Sequence, residues 1–369
     1  MKYTLKEIAT ISAGQGAPQG DNNYCEYGIP FVKAGNLLEL IEGASIDNIQ
    51  KVSDDVAKKH RLKLYPKGTI LFAKSGMSCL KGYVYILPCD SYVVSHLACI
   101  TPHENISQYL KYYFDYNKPN KLIKDAAYPS ISLSDIGELI VDIKDCESRK
   151  NIVSALSEIE TIIFARKQQL AKFDELVKAR FVEMFGIYPA NPMGWETCTI
   201  RDIVSDVRYG SSRPAVDGGK YPYLRMNNIT YSGELDLSDT KRIDVPENEL
   251  EKCTVRHGDV LFNRTNSKEL VGKTCVYDRD EMMVLAGFVI RVRVTERILP
   301  EFLSAFLNTD FSKQMLLGMC KAAIGQANIN AQEMQNIGLY LPSIELQQQF
   351  VQFKKQVDKS KFSLQKSLY

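Results

Sequence analysis

The sequence predicts an α+β protein in which two similar, β-rich domains are separated by long helices. Three observations predict this fold class. A long stretch of the chain is repeated once, each copy contains short alternating apolar runs typical of strands, and each copy leads into a helical stretch with heptad-like spacing. The length of 369 residues is sufficient for two domains of ordinary size, each with its own core.

The internal repeat consists of four motifs that return in the same order at an offset of 190 to 198 residues. A period this long is too large for a solenoid repeat, and it therefore indicates two copies of a whole domain. The matched segments are 3–8 with 198–203, 29–37 with 221–229, 67–72 with 257–262, and 130–133 with 328–331.

The first domain is predicted over residues 1–145, where Gly, Pro, Asn and Asp separate short apolar runs. A helix is predicted over 106–114, so the domain mixes helix with a majority of strand. The second domain is predicted over residues 195–342 with the same order of elements. The strands predicted in the first copy are 28–32, 68–73, 84–87 and 92–94.

Two helical stretches follow the domains, a first spacer helix at 146–186 and a second at 343–369, with a linker at 187–194. Glycine and proline are absent from the first stretch until Gly186, which is well placed to stop it. At about 1.5 Å per residue the first helix would be roughly 60 Å long, more than the diameter of one domain, which favours a spacer over a helix packed on its own domain. The heptad seams are Ile152, Leu156, Ile159, Ile163, Leu170, Phe173 and Val177 in the first helix and Leu346, Phe350, Phe353, Val357 and Leu364 in the second.

Composition excludes several classes of protein. No apolar run approaches the ~20 residues of a membrane-spanning helix, and the first residues do not have a signal-peptide core. The nine cysteines contain no Cys-x-x-Cys pair, which favours reduced thiols in the cytoplasm. Net charge is only +2, so any nucleic-acid-binding surface must come from local placement of Lys and Arg, and tight binding would need a partner.

The sequence lacks the motifs of common active sites. It has no Walker A motif and no Gly-x-Gly-x-x-Gly after a strand, and its four histidines are far apart without metal-ligand spacing. The acidic run 278–281 corresponds to 88–91 in the first copy, where Asp90 is the single acidic residue, so it is interpreted as a solvated turn. We therefore predict a protein that is not an enzyme and has no cofactor and no metal site.

Polar side chains follow the predicted strands at equivalent places in the two copies, and they differ in identity. Arg and Lys favour guanine acceptors and Asn favours adenine, so these residues are candidates for contacts to DNA, although ordinary polar loops are the alternative. The candidates are Lys33, Asn36, Lys74, Ser75, Lys81 and Ser130 in the first copy, and Arg208, Arg213, Arg225, Asn227, Asn228, Arg264, Thr265, Asn266, Lys273, Gln326 and Asn328 in the second.

The strand motif 28–36, the turn 68–72 and the turn 131–136, together with the helix end 174–186 and the segment 191–196 after it, resemble the Type I restriction–modification specificity subunits. The resemblance extends over the whole chain. It implies two target-recognition domains held by antiparallel coiled-coil helices with pseudo-two-fold symmetry, each domain reading one half of a bipartite double-stranded DNA target.

The same resemblance implies the partners. The helices would set the spacing of the half-sites and dock two modification subunits that methylate adenine, and a separate ATP-dependent restriction subunit would cleave DNA. The sequence thus predicts a non-catalytic DNA-specificity subunit. Two alternatives stay open at this stage: an enzyme with its own activity, such as a DNA nuclease, and a coiled-coil scaffold that binds only proteins.

Overall fold

A computed structural model describes residues 1–320 and 327–367, and the chain divides into two compact units, 1–162 and 163–369. The first unit contains nine strands and five short helices in its described residues, and it ends within a sixth helix. The strands are β1 (Lys2–Thr4), β2 (Ala9–Ala13), β3 (Ile29–Val32), β4 (Lys51–Val52), β5 (Ile70–Ala73), β6 (Val84–Ile86), β7 (Tyr92–Val93), β8 (Leu97–Pro102) and β9 (Ile140–Asp142). The helices are α1 (Leu5–Ile8), α2 (Leu37–Ile41), α3 (Asp54–Lys59), α4 (Ser107–Tyr116), α5 (Leu133–Gly137) and α6 (Cys146–Phe185).

A four-stranded antiparallel sheet, β2-β8-β5-β6, forms the centre of the first unit. A three-stranded sheet, β4-β3-β7, adjoins it and contains the parallel pair β3–β7. All four residues of β5 are buried because apolar side chains leave the strand on both faces. On one face the ring of Phe72 packs at 5.3 Å from that of Phe114 in α4, which explains why α4 is amphipathic.

The second unit repeats this arrangement with additional strands. Its strands are β10 (Glu196–Thr199), β11 (Val204–Tyr209), β12 (Tyr221–Leu224), β13 (Lys241–Ile243), β14 (Thr254–Val255), β15 (Val260–Asn263), β16 (Thr265–Asn266), β17 (Thr274–Val276), β18 (Met283–Leu285), β19 (Val289–Val294), β20 (Ala327–Asn328) and β21 (Gly338–Leu341). Its helices are α7 (Glu247–Cys253), α8 (Pro300–Leu307), α9 (Asp310–Met319), α10 (Ala331–Gln335) and α11 (Ile344–Lys366).

Sheet order shows that the repeat is structural. The sheet β11-β19-β15-β17 has the same strand order and antiparallel pairing as β2-β8-β5-β6, and β13-β12-β18 corresponds to β4-β3-β7, including the parallel pair. The predicted mixture of strand and helix in two copies is confirmed.

A long helix after the first domain was predicted, and α6 confirms it with 40 residues. The helix ends at Phe185 because Gly186 adopts a left-handed φ of +82°, and a Cβ there would lie 2.5 Å from Pro192 Cγ. Lys111 and Tyr112 of α4 hydrogen-bond Glu160, which anchors the first part of α6 within the first unit.

Within the second unit, α6 and α11 pack in opposite directions. Going along α6 from Asp174 to Phe181, the partners on α11 run backwards from Lys361 to Phe350. Phe181 meets Phe350 edge-to-face with ring centroids 5.2 Å apart. This geometry is the antiparallel pairing that the family resemblance implies, observed here for the second unit.

The predicted heptad seams are only partly covered. Phe350 and Val357 are buried, and the half-buried members are Leu156, Leu170, Phe173, Val177, Leu346, Phe353 and Leu364. Ile152, Ile159 and Ile163 are exposed. For Ile163 the reason is length: α11 has 23 residues against 40, and its last turn already lies beside Arg166.

Two predictions fall partly outside the described residues. Gln326 and the last two positions of the predicted second helix, 368–369, are in this group. Among the helices within 1–320 and 327–367, none combines the length and apolar content that crossing a bilayer requires.

Candidate nucleic-acid interface

In the first unit the ends of three strands are joined at one turn, residues 94–96. Backbone hydrogen bonds connect this turn to the end of β3, to the residue after β5 and to a residue just after β2. Side chains from all three strand ends are therefore held near one another. The bonds run from the Val94 N–H to the Val32 carbonyl (3.0 Å), from the Lys74 N–H to the His96 carbonyl (2.9 Å), and from the Ser95 N–H to the Gln15 carbonyl (2.8 Å).

The second unit builds the same junction around residues 286–288. We name the two junctions the first strand-end site (Lys33, Lys74, Ser75, His96 and Ser130) and the second strand-end site (Arg225, Arg264, Thr265, Phe288 and Asn328). The corresponding bonds run from the Ala286 N–H to the Leu224 carbonyl (2.9 Å), from the Arg264 N–H to the Phe288 carbonyl (3.0 Å), and from the Gly287 N–H to the Ser211 carbonyl (2.7 Å).

The first strand-end site offers two lysines, two serine hydroxyls and an imidazole. Ser75 pairs with Ser130 through an isolated β-bridge, and its Oγ lies 2.9 Å from His96 Nδ1. Lys74 is half-buried, whereas His96 is exposed. Lys33 Nζ lies 4.5 Å from the ring centroid of Tyr24 and donates to Gln50 Oε1 at 2.6 Å. The Lys33 ammonium, the Ser75 hydroxyl and the His96 imidazole are therefore already in contact with neighbouring side chains of the first unit.

The second strand-end site offers an arginine fork, an amide and aromatic rings. The Arg264 guanidinium lies 4.9 Å from the ring centroid of Tyr209, whose hydroxyl accepts a hydrogen bond from the Ala331 N–H at 2.9 Å. Thr265 Oγ1 donates to Asn328 Oδ1 at 3.0 Å across the β16–β20 pair. Among residues 1–320 and 327–367 the Asn328 amide nitrogen has no hydrogen-bond partner, so this site differs from the first in both charge geometry and hydrogen-bonding groups.

Asn36 and Asn228, both candidates for base contacts, instead hold the turns after β3 and β12. Asn36 Oδ1 accepts from the Lys33 N–H and Asn228 Oδ1 from the Arg225 N–H, each at 2.9 Å. Asn228 is also buried, and its amide donates to the carbonyls of Asp236 and Asp239. In this conformation Asn228 has a structural role, because all of its strong polar groups are occupied inside the unit.

Three candidate arginines are ion-paired within the second unit. Arg225 Nη2 lies 2.9 Å from Asp239, Arg213 Nη2 lies 2.8 Å from Glu249, and Arg208 Nε lies 2.9 Å from Asp206. A phosphate or base would have to share these guanidinium groups with carboxylates, which reduces the free energy that a contact to DNA would contribute.

The remaining candidates differ in access. Lys81 and Asn227 are exposed, and Asn266 Oδ1 accepts from the Ser267 N–H at 2.9 Å. Lys273 is buried and donates from Nζ to the Met226 carbonyl at 2.9 Å, and its burial lowers its pKa. Lys273 thus also has an internal role, because its ammonium group is buried and bonded to a carbonyl of the same unit instead of being available to DNA.

Three residues at or beside the junctions, His96, Phe288 and Tyr209, are not among the candidates predicted from the sequence. Phe288, 53% exposed, takes the place of His96, and Tyr209 is 43% exposed. The Arg264 N–H donates to the Phe288 carbonyl just beyond the last β15–β19 register pair, Asn263 with Val289, so the two residues are neighbours at the junction. The signal was present in the repeat, because aligning Leu97 with Val289 places His96 against Phe288.

No group of three or more His, Cys, Asp or Glu side chains suited to a metal ion occurs in the part of the chain that the structure describes.

Comparisons with known proteins agree on one family. The model of a family described as the Type I restriction modification DNA specificity domain matches residues 1–172 and 192–369. The Type I restriction enzyme EcoKI specificity subunit of Escherichia coli (strain K12) is 21% identical over 373 residues, covering 93% of this chain and 80% of that protein. The Type I restriction enzyme MjaIX specificity subunit of Methanocaldococcus jannaschii is 30% identical over 139 residues, covering 36% of this chain and 31% of that protein.

Solved structures share the fold. A chain from a study of complex assembly and conformational transition of the type I R-M system matches with a TM-score of 0.56 at 16% identity, covering 100% of this chain and 92% of that one. The Type-I restriction-modification system S subunit from M. genitalium matches with a TM-score of 0.50 at 14% identity, covering 100% and 91%.

Proposed function

Because this chain belongs to the Type I restriction modification DNA specificity family and is a DNA-specificity subunit of such a system, we propose that its two strand-end sites read the two halves of a bipartite DNA target. The first unit would read one half and the second unit the other. The alternatives of a self-contained nuclease and a protein-only scaffold are not favoured by the family match.

One observation carries this proposal: the same backbone junction occurs twice and bears different side chains. Lys74 is replaced by Arg264, Ser75 by Thr265, His96 by Phe288, and Ser130 by Asn328 at the same hydrogen-bonded positions. Base edges are distinguished by their donors, acceptors and methyl groups, so a junction with different groups would select different bases. A repeat kept only for stability would not require the side chains at these positions to differ.

The organisation and partners are part of the same proposal. Recognition domains at 1–145 and 195–342 would be related by pseudo-two-fold symmetry, joined by the linker 187–194, and spaced by the helices at 146–186 and 343–369. The chain itself would be non-catalytic and cytoplasmic. Two adenine methyltransferase subunits would dock on the helices, and an ATP-dependent restriction subunit would join them. Ile152 and Ile159, exposed in the chain alone, support a protein partner on α6 because large apolar side chains favour burial.

A competition assay tests the proposal. The complex of this chain with its modification subunits is bound to a labelled duplex that carries its bipartite target, and unlabelled duplexes with one half-site scrambled compete. Lys74→Ala should weaken discrimination against scrambling of one half-site only, and Arg264→Ala against scrambling of the other half-site only. Lys359→Ala, a change at an exposed lysine of α11, serves as the matched control and should leave both intact.

Equal loss for both half-sites in Lys74→Ala and Arg264→Ala would mean that these residues contact only phosphates, because phosphate contacts contribute affinity without sequence information. That outcome would refute the proposal that the two strand-end sites read bases through these residues.

A further inference from the structure

Arg264 is held rigidly at the end of β15. Its N–H donates to the Phe288 carbonyl at 3.0 Å, and its own carbonyl accepts from the Ile329 N–H at 2.9 Å. The main chain is thereby fixed on both sides, by the turn before β19 and by the segment that follows β20. Only the side chain has freedom, and its direction depends on what it packs against.

The Arg264 side chain packs on the ring of Tyr209. Its guanidinium carbon lies 4.9 Å from the ring centroid, and its buried Nε has no hydrogen-bond partner within the described part of the chain. No carboxylate lies within ion-pair distance of this guanidinium among residues 1–320 and 327–367, in contrast to Arg208, Arg213 and Arg225. Stacking occupies the flat face of the guanidinium and leaves its N–H edge available to a ligand.

Tyr209 is itself fixed. Its hydroxyl accepts the Ala331 N–H at 2.9 Å, which also satisfies a free donor in the first turn of α10. Its main chain is paired with Ile290 in the β11–β19 ladder. The ring therefore acts as a rigid support for the arginine, and a pre-positioned side chain loses less entropy on binding.

The first unit lacks this support. Gly14 and Gly210 donate equivalent hydrogen bonds, to Leu97 and to Val289 respectively, which aligns Ala13 with Tyr209. Lys74, the counterpart of Arg264, accordingly has no ring at that position. The stacked arginine is a property of the second unit alone.

We propose that Tyr209 is a positioning residue that holds Arg264 so that its guanidinium fork specifies a guanine in the half-site read by the second unit. Two parallel N–H groups of arginine match the O6 and N7 acceptors of guanine in the major groove, whereas a lysine ammonium offers a point charge without that fork. This inference rests on the proposed function, in which the second unit reads one half of the target.

The test is base-resolved methylation by the complex of this chain with its modification subunits, on a duplex library randomised in both half-sites. The wild-type complex should require a G·C pair at one position of the second half-site. Arg264→Lys should reduce discrimination at that position about ten- to a hundred-fold. Tyr209→Leu should reduce it at the same position, and Tyr209→Phe, which keeps the ring, should restore most of it.

Two internal references show whether a variant is folded. Discrimination at the first half-site should stay unchanged within each variant molecule. Tyr231→Leu removes a different ring, one that packs 5.3 Å from the Lys313 ammonium, and it should change no base preference.

The outcomes separate the two levels of the argument. A wild-type second half-site without an obligatory G·C pair overturns the inference, as does Tyr209→Leu with unchanged preference or with uniform loss at every position. Either result leaves the bipartite assignment intact as long as the wild-type site has two halves. If Arg264→Lys alters the first half-site, or if the wild-type site has one part only, the proposed function itself fails.

Discussion

Phe350 is the residue whose truncation most sharply tests the packing of α11 on α6. Its side chain is fully buried, with ring centroids 5.2 Å from Phe181 and 5.8 Å from Phe185. Complete burial of such a side chain contributes about 1.5–3 kcal/mol. Each favourable aromatic pair adds about 0.5–1.5 kcal/mol, so Phe350→Ala should lower the free energy of unfolding of the second unit by about 3–5 kcal/mol.

The single tryptophan of the chain provides the assay. Trp195 lies in the second unit and donates from Nε1 to the Phe185 carbonyl at 3.1 Å, so its fluorescence should report unfolding next to the affected cluster. Urea titrations of wild type and Phe350→Ala, compared at equal m-value, give the difference in free energy.

The matched control is Phe362→Ala on the same helix. Phe362 is 59% exposed and contacts only the Lys366 ammonium, at 4.8 Å from its ring centroid, among its described ring contacts. Its truncation should change the free energy of unfolding by about 0.5 kcal/mol or less. Equal effects of the two substitutions would refute the packing of α11 described here.

Two further predictions concern Lys313 and Gly186. Burial lowers the pKa of Lys313 to about 8, with further lowering from Lys178 and Lys273, and its ammonium donates to the Gly272 carbonyl at 3.0 Å. The pKa of Lys313 is lower in the folded state than in the unfolded state, where it is about 10.4. Between about pH 8 and about pH 10.4 the unfolded state therefore binds this proton and the folded state does not, so the free energy of unfolding should rise with pH over that range. Lys313→Met should remove this rise and stabilise the second unit at pH 7 by up to about 3 kcal/mol, whereas an unchanged pH profile in urea titrations would contradict it. Gly186→Ala should destabilise the end of α6 by about 1–2 kcal/mol, because φ is +82° and the new Cβ would meet Pro192, and a thermal midpoint equal to that of wild type would rule this out.

The sequence was sufficient for the repeat, the mixed fold and the long helices, since these follow from local periodicity and from motifs in a fixed order. The repeat also predicts that Lys74, Ser75 and Ser130 lie at turns equivalent to those of Arg264, Thr265 and Asn328. The structure places each of these sets around one junction.

The internal roles of Asn228 and Lys273 could not be read from their spacing. Both are polar residues near strand ends, as are the exposed candidates, and only tertiary packing buries them. The role of Tyr209 cannot be predicted from its sequence neighbours, because it depends on a contact to Arg264, which is distant in sequence and becomes adjacent through the β11–β19–β15 order. The exposed Ile163 shows the limit of heptad counting, because a seam on one helix needs a partner of equal length.

The proposal that each unit reads one half-site is tested most directly by photocrosslinking of the assembled complex to its bipartite duplex, with 5-iodo-deoxyuridine placed in one half-site at a time. Iodouridine in one half should crosslink to the first unit, at His96 or at Tyr128, an exposed ring two residues before Ser130 of the first strand-end site. Iodouridine in the other half should crosslink to the second unit, at Tyr209 or Phe288. Peptide mapping that finds both half-sites crosslinked to the same unit would contradict the account.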